Sequence, residues 1–253
     1  MVDYKLTEKL NILLEGYFQE FLEGRSFDKM MPGIYNEVHP YFETELIEGL
    51  KIDWYENRSL IDSFKKNINK WSIARNWQQT REISTYMFNN KGNLTDDLNR
   101  EFLKGNKSRF NTSWLDNEIR TLRNTTENIN NFETFPPDAF LEYRTAADEK
   151  VRHAHAELDG LTMPKSDGRW QYLMPPPASS PWNCRCRVIA VYPEKGSSKK
   201  DVNKRVKRMS DLSGVSERKV KSATHPLWSG EIFDSKSTYF KGVPKNIMRK
   251  NAI

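Results

Sequence analysis

Residues 131–160 read NFETFPPDAFLEYRTAADEKVRHAHAELDG, and the character of the chain changes inside this stretch. Before it, apolar residues recur at helical spacing. At Phe135-Pro136-Pro137 the paired prolines disfavour continuation of a helix, and FLEYRTA then alternates apolar and polar residues as a half-buried strand does. The pattern predicts an α+β chain: a mostly helical N-terminal half, a boundary near residue 133, and a small mixed α+β domain with short strands.

Upstream, YKLTEKLNILLEGYFQEFLEG sets Leu6, Leu10, Leu13, Leu14, Tyr17, Phe18, Phe21 and Leu22 on one stripe, with Gly24 as a C-terminal stop. Tyr35, Val38, Tyr41, Phe42, Leu46 and Ile47 form a less regular set, in which Pro40 predicts the start or bend of a helix. From Ser59, the residues Leu60, Ile61, Phe64, Ile68, Trp71, Ala74 and Trp77 share a helical face. It continues weakly through Ile83 and Met87 until NNKGN breaks it. TDDLNREFLKG predicts a shorter helix capped by Thr95, with Asp96 and Asp97 at the positive end of its dipole. Another helix runs from Thr112 or Ser113 through Trp114, Leu115, Ile119, Leu122 and Ile129.

Downstream, the expectation is a short helical stretch around Glu149 to Leu158, a turn at Gly160, a long irregular loop from Met163 to Asn183, and a second strand in CRCRVIAVYP. Loops of that length are usually functional or pinned. Three segments result: 1–133, helical and available for docking a partner; 134–193, the α+β domain; and 194–253, a basic extension. In the last, EKGSSKKDVNKRVKRMSD reads as a linker or charged helix, ahead of a small apolar patch at Leu227, Trp228, Ile232, Phe233, Tyr239 and Phe240.

With 253 residues, 37% of them hydrophobic and 12% aromatic, the chain can build a real core. A mean hydropathy of −0.80 and the absence of a long apolar run exclude a membrane-spanning role. MVDYKLTEKL lacks the apolar stretch of a signal peptide, which predicts a protein kept in the cytoplasm where it is made. The formal charge of +6 is uneven: residues 194–253 carry 15 Lys/Arg against 6 Asp/Glu, or +9, leaving −3 for the rest. Lys199, Lys200, Lys204, Arg205, Lys207 and Arg208 put several cations along one helix or arm. Such a run is either a solvated surface or a sequence-independent, phosphate-neutralising contact to DNA.

The only two cysteines are Cys184 and Cys186. Their spacing rules out a useful staple for a fold of this size. On a strand, residues i and i+2 share a face, so the two sulfurs project together while Arg185 and Arg187 face the other way. On a helix, His155 and Asp159 stand one turn apart. Together the four could hold zinc, with His153 as a substitute ligand. Other readings stay open: the usual zinc spacing is CxxC, buried thiols serve as small apolar core residues, and Asp159-Gly160 is a plausible helix-ending turn. A Cys–His nucleophilic pair is conceivable, but no third orienting group or oxyanion site can be named. His225, beside Pro226, reads as a turn residue.

The run YRTAADEKVRHAHAELDG, Trp170 in a loop, the cluster Pro175-Pro176-Pro177 and the ending WNCRCRV resemble the signature of the phage Mu F-like minor head proteins, the SPP1-type head morphogenesis family. The match is strong over residues 140–190 and loose over the helical half. Many members read DxxVCxxCxxLxG followed by HPxCRC. Here Arg152 stands at the first of those cysteines and His155 at the second, and Trp182 stands where a histidine would precede CRC. The resemblance keeps His155, Cys184 and Cys186 as ligand candidates, with zinc the one cofactor suggested. It also admits a purely structural motif, in which Asp148, Arg152 and Asp159 form a buried polar network and Gly160, Trp182 and Arg185 complete the pattern.

What the resemblance implies is a non-enzymatic minor capsid protein of a tailed phage. It would associate with the portal protein and other head proteins at the portal vertex of the virion, pass through the host cytoplasm during assembly, and contact packaged DNA without sequence preference. The competing expectation is a metal-dependent hydrolase or nuclease that uses the His/Asp/Cys set. A cellular DNA-binding regulator is the weakest reading, because no helix-turn-helix, zinc-finger or ribonucleoprotein motif supports it.

Overall fold

The structure is a computed structural model that describes residues 4–25, 30–91, 93–177, 179, 181–192, 196–234 and 237–250. Helix α1 (Tyr4–Leu22) buries Leu6, Leu10, Leu14 and Phe18, the centre of the expected stripe. Gly24, at φ +82°, takes the left-handed conformation that ends it.

Helix α2 (Met30–Gly49) contains Pro40 and does not start there. Pro40 is exposed, as is Asn36, whose carbonyl loses its helical donor, so the missing bond falls on a face that water reaches. Ile34, Val38, Phe42 and Leu46 are buried at i+4 spacing on both sides of the proline.

Helix α3 (Arg58–Asn89) is the longest. From Trp71 to Asn76 it is buried all round, Ser72, Arg75 and Asn76 included. Helix α4 (Asp96–Lys107) begins at Thr95, whose hydroxyl accepts from the Leu98 amide. A π-helical segment, Ser108–Trp114, then joins it directly to α5 (Leu115–Thr134), so the two helices expected there are not separated by a break. The wider turn rotates the register between them. Phe110 and Asn111 of this segment are buried, and the Arg75 guanidinium donates to the Phe110 carbonyl. Arg75 Nε also reaches Glu118 Oε2 at 2.8 Å in a fully buried pair. Burial pushes the Glu118 carboxyl up, against the opposing pull of Arg75.

The sheet is antiparallel in the order β2-β1-β3, with β1 (Phe140–Arg144) central, β2 (Leu161–Pro164) and β3 (Arg187–Val191). Leu141 faces Met163 and Ala190, and Tyr143 faces Leu161 and Val188. The period-two burial of Leu141 and Tyr143 confirms FLEYR as a strand. Two other expectations change. The second strand starts at Arg187, three residues past Cys184. The expected irregular loop opens with β2 and contains helix α7 (Trp170–Leu173). LTMP is too short to show an alternation of its own and is ordered by pairing with β1. Between β1 and β2, only His153–Ala156 is helical (α6).

Pro193 and Glu194, where the basic extension was set to begin, lie outside the described residues. Beyond them α8 (Lys199–Ser213) is a charged helix rather than a linker. It is capped by Ser198, closed by Gly214 at φ +66°, and buries Val202, Val206 and Met209. Helices α9 (Glu217–Ser222), α10 (Pro226–Ser229) and α11 (Lys245–Lys250) follow, with a 3-10 turn at Thr238–Phe240.

Two compact units result: Met1–Glu45, Asp62–Ile119 and Phe233–Ile253 make one, and Leu46–Ile61 with Arg120–Ile232 make the other. In the first, Trp71 stacks on Phe233 at 4.5 Å between ring centroids and meets Tyr239 at the same distance. The second holds the sheet, α6 to α10 and the segment 134–193. Among the described residues, no helix is long and apolar enough to cross a membrane.

Candidate functional site

The site lies in the second unit and is built from three pieces of chain. Helix α5 supplies the mounting. Thr121, Asn124 and Asn128 lie at i, i+3 and i+7 on one face, and each bonds the backbone around the cysteines. Thr121 Oγ1 accepts from the Asn183 amide at 3.1 Å. Asn124 Nδ2 donates to the Cys184 carbonyl at 2.6 Å and the Cys186 carbonyl at 3.3 Å. Asn128 Nδ2 donates to the Cys186 carbonyl at 3.1 Å, while its Oδ1 accepts from the Val188 amide at 2.8 Å.

These contacts hold residues 183–188 in an extended path before and into β3. Cys184, Cys186 and Val188 face inward, and Arg185 and Arg187 face solvent. The alternation expected of a strand therefore holds, although side-chain amides of α5 stand in for part of the ladder. Opposite, α6 places the buried His155 with Nδ1 3.6 Å from Cys184 Sγ and 3.8 Å from Cys186 Sγ. The three donor atoms lie within 4.8 Å of one another. They line a small cavity of 70 Å³ shared with Arg152 and Asn183.

Tyr143 of β1 completes the surroundings. Its hydroxyl is buried beside the two sulfurs, and the His155 Nε2 is buried without a hydrogen-bond partner. Burial raises the Tyr143 phenol pKa well above its usual range, and the nearby sulfurs add to the effect. The hydrogen bond between the two cysteines lowers the Cys186 thiol to about 5 against the cost of burial, with His155 and Tyr143 contributing. The same bond, with burial, raises Cys184. The bond between the two sulfurs therefore moves the two thiols in opposite directions.

Asp159 is not part of this group. Its Oδ1 accepts from the Thr145 amide at 2.8 Å and the Thr145 hydroxyl at 2.9 Å, because the chain has left the helix at Glu157 and turned the carboxylate back on the end of β1. His153 is exposed. The expected buried network of Asp148, Arg152 and Asp159 is also corrected, because Asp148 and Arg152 are at the surface. Asp148 forms a two-pronged pair with Arg185 at 2.5 and 2.6 Å, which pulls its carboxyl below the usual range. Arg152 donates to the Trp182 carbonyl. Gly160, at φ +72°, makes the expected turn and donates its amide to the Tyr143 carbonyl.

Of the basic run, Lys199, Lys200, Lys204, Lys207 and Arg208 are exposed. Arg205 is half-buried and donates to the carbonyls of Glu157 and Asp159. Lys207 pairs with Asp211 and Arg208 with Glu157. His225 caps α10 and is fully buried, its Nδ1 accepting from the Leu227 amide and its Nε2 facing the Pro175 carbonyl at 3.2 Å.

The residues that sequence reasoning missed are Thr121, Asn124, Asn128 and Tyr143. The first three carried a signal: polar residues at helical spacing beside the apolar stripe of α5.

The class that this architecture defines is an α+β protein in which a helical half precedes a small antiparallel sheet carrying a buried Cys/Cys/His cluster. Residues 68–189, from within α3 to β3 and just under half of the chain, match the family model described as Phage Mu protein F like protein. No curated protein and no solved structure matches the chain.

Proposed function

We propose that this protein is a minor component of the phage head, seated at the portal vertex during assembly and in contact with packaged DNA. The family match over residues 68–189, which spans the sheet and the cysteine segment, carries the reading. Two surface features support it. Tyr4 and Ile12 of α1 are 76% and 63% exposed, giving the helical half apolar side chains to offer a head protein. Lys199, Lys200 and Lys204 of α8 present cations that can neutralise phosphates.

The hydrolase reading finds no carboxylate general base at the cluster among the described residues. The carboxylates nearest the cluster in sequence are turned elsewhere, Asp159 to Thr145 and Glu157 to Arg208.

The test is to compare intact particles with particles assembled without this protein, by difference imaging with no symmetry imposed. The expected result is extra density at one vertex. Density spread over the whole shell, or a protein absent from purified particles, overturns the proposal.

A further inference from the structure

We infer that His155, Cys184 and Cys186 form a three-residue zinc site, with the fourth position facing the 70 Å³ cavity and filled by water. The geometry fits the ion. Zinc bonds thiolate sulfur at about 2.3 Å and imidazole nitrogen at about 2.0–2.1 Å, so tetrahedral angles set nitrogen and sulfur about 3.6 Å apart. The two nitrogen-to-sulfur separations are 3.6 and 3.8 Å. A direct thiol–imidazole hydrogen bond does not require one nitrogen to be nearly equidistant from two sulfurs, whereas a shared ion does.

The charge fits as well. Two thiolates and a neutral imidazole carry −2, which a divalent ion cancels, so a neutral assembly replaces polar groups in a pocket where Cys184 and Cys186 are 4% and 2% exposed. The buried Tyr143 hydroxyl, beside the sulfurs, is the outer group such a site uses: it can donate to a coordinated thiolate and fix its direction. The α5 amides hold the cysteine backbone in place independently of the ion, so the pocket is organised before metal arrives.

The site's work is mechanical. His155 sits in the connection from β1 to β2, and the cysteines sit at the entrance to β3. A bound ion therefore ties together the segments flanking the central strand and closes the long connection between them. The donor set is Cys2His with water, not Cys2HisAsp.

The probe is zinc itself, with cobalt as its visible substitute, on the full chain. The expected result is about one zinc per chain after loading and desalting, and a cobalt form whose spectrum shows thiolate charge transfer and the strong visible bands of a four-coordinate ion. In addition, native thiols should resist a disulfide reagent until a chelator is added. Asp159→Asn and His153→Ala should retain the metal, while His155→Ala and Cys184→Ser lose it. Should the last two fail to fold, the wild-type cobalt spectrum and thiol protection still decide. A chain that takes up no metal with both thiols freely reactive, a cobalt spectrum without sulfur ligation, or loss of metal on Asp159→Asn overturns the assignment. None of these outcomes depends on the protein's place in the particle.

Discussion

At the scale of single residues, the energetically expensive choices are buried polar groups far from the surface. His225 is the clearest. Its ring is enclosed by the Pro175 carbonyl, the Leu227 amide and the Trp228 indole, none of which compensates a positive charge well. Burial therefore lowers its pKa to about 3. A histidine whose folded pKa lies below its unfolded value binds fewer protons when folded. Its contribution to stability is complete above the unfolded value of about 6.5 and is lost as pH falls from there toward about 3. Between pH 7 and pH 5 the loss is about 2 kcal/mol. His39, lowered by burial against the pull of Glu43, adds slope of the same sign. The readout is accordingly a difference. His225→Asn keeps a capping side chain and should reduce the pH 7 to pH 5 change in urea-unfolding free energy by about 2 kcal/mol relative to wild type. Equal slopes in the two proteins would show that the ring already titrates normally.

At the scale of elements, α5 is the organiser of the site. Asn128 is buried and satisfies both the Cys186 carbonyl and the Val188 amide. Asn128→Ala leaves the Val188 amide without its acceptor in a place water does not reach, and the Cys186 carbonyl with only its longer bond from Asn124. The expected cost is about 1–3 kcal/mol, seen as a lower urea midpoint with an unchanged slope, together with increased reactivity of Cys184 and Cys186 in the metal-free protein. A cost below about 0.5 kcal/mol would mean that the backbone at 184–188 is held by the sheet alone.

The same elements show what the sequence made readable. Helix α1, Thr95 as a cap, the change at Phe135-Pro136-Pro137 and strand FLEYR all rest on local signals of periodicity, capping or proline chemistry, and all are where those signals put them. The inward pairing of Cys184 and Cys186 and the nearness of His155 were legible too. The remaining features depend on partners distant in sequence. LTMP becomes a strand only because β1 lies beside it. Pro40 is tolerated because it falls on an outer face. The continuous turn from α4 into α5 rests on Arg75, which reaches across to Phe110 and Glu118. Asp159 was misplaced because i, i+4 spacing implies a shared face only while the helix lasts, and α6 stops at Ala156.

At the scale of the whole molecule, the question is what the basic C-terminal part does. It is not a detachable arm. Helix α8 buries Val202, Val206 and Met209 and anchors Arg205 on the carbonyls of Glu157 and Asp159, while Phe233 packs on Trp71 in the first unit. Truncation at residue 194 would therefore expose core in both units, and substitutions at exposed lysines are the cleaner probe. Lys207 and Arg208 already face acidic partners, which leaves Lys199, Lys200 and Lys204 as the cations best placed for phosphate. Three phosphate contacts predict a slope of about −3 in a plot of log affinity against log salt, or an affinity loss of about 40-fold between 50 and 200 mM. Replacing the three lysines with glutamine should flatten that slope to near zero for double-stranded DNA of any sequence while the urea midpoint stays unchanged, since all three side chains are solvated. A wild-type affinity that does not respond to salt, or a triple variant that binds as tightly as wild type, would show that α8 is a solvated helix with no DNA contact and that the positive field serves another part of the head.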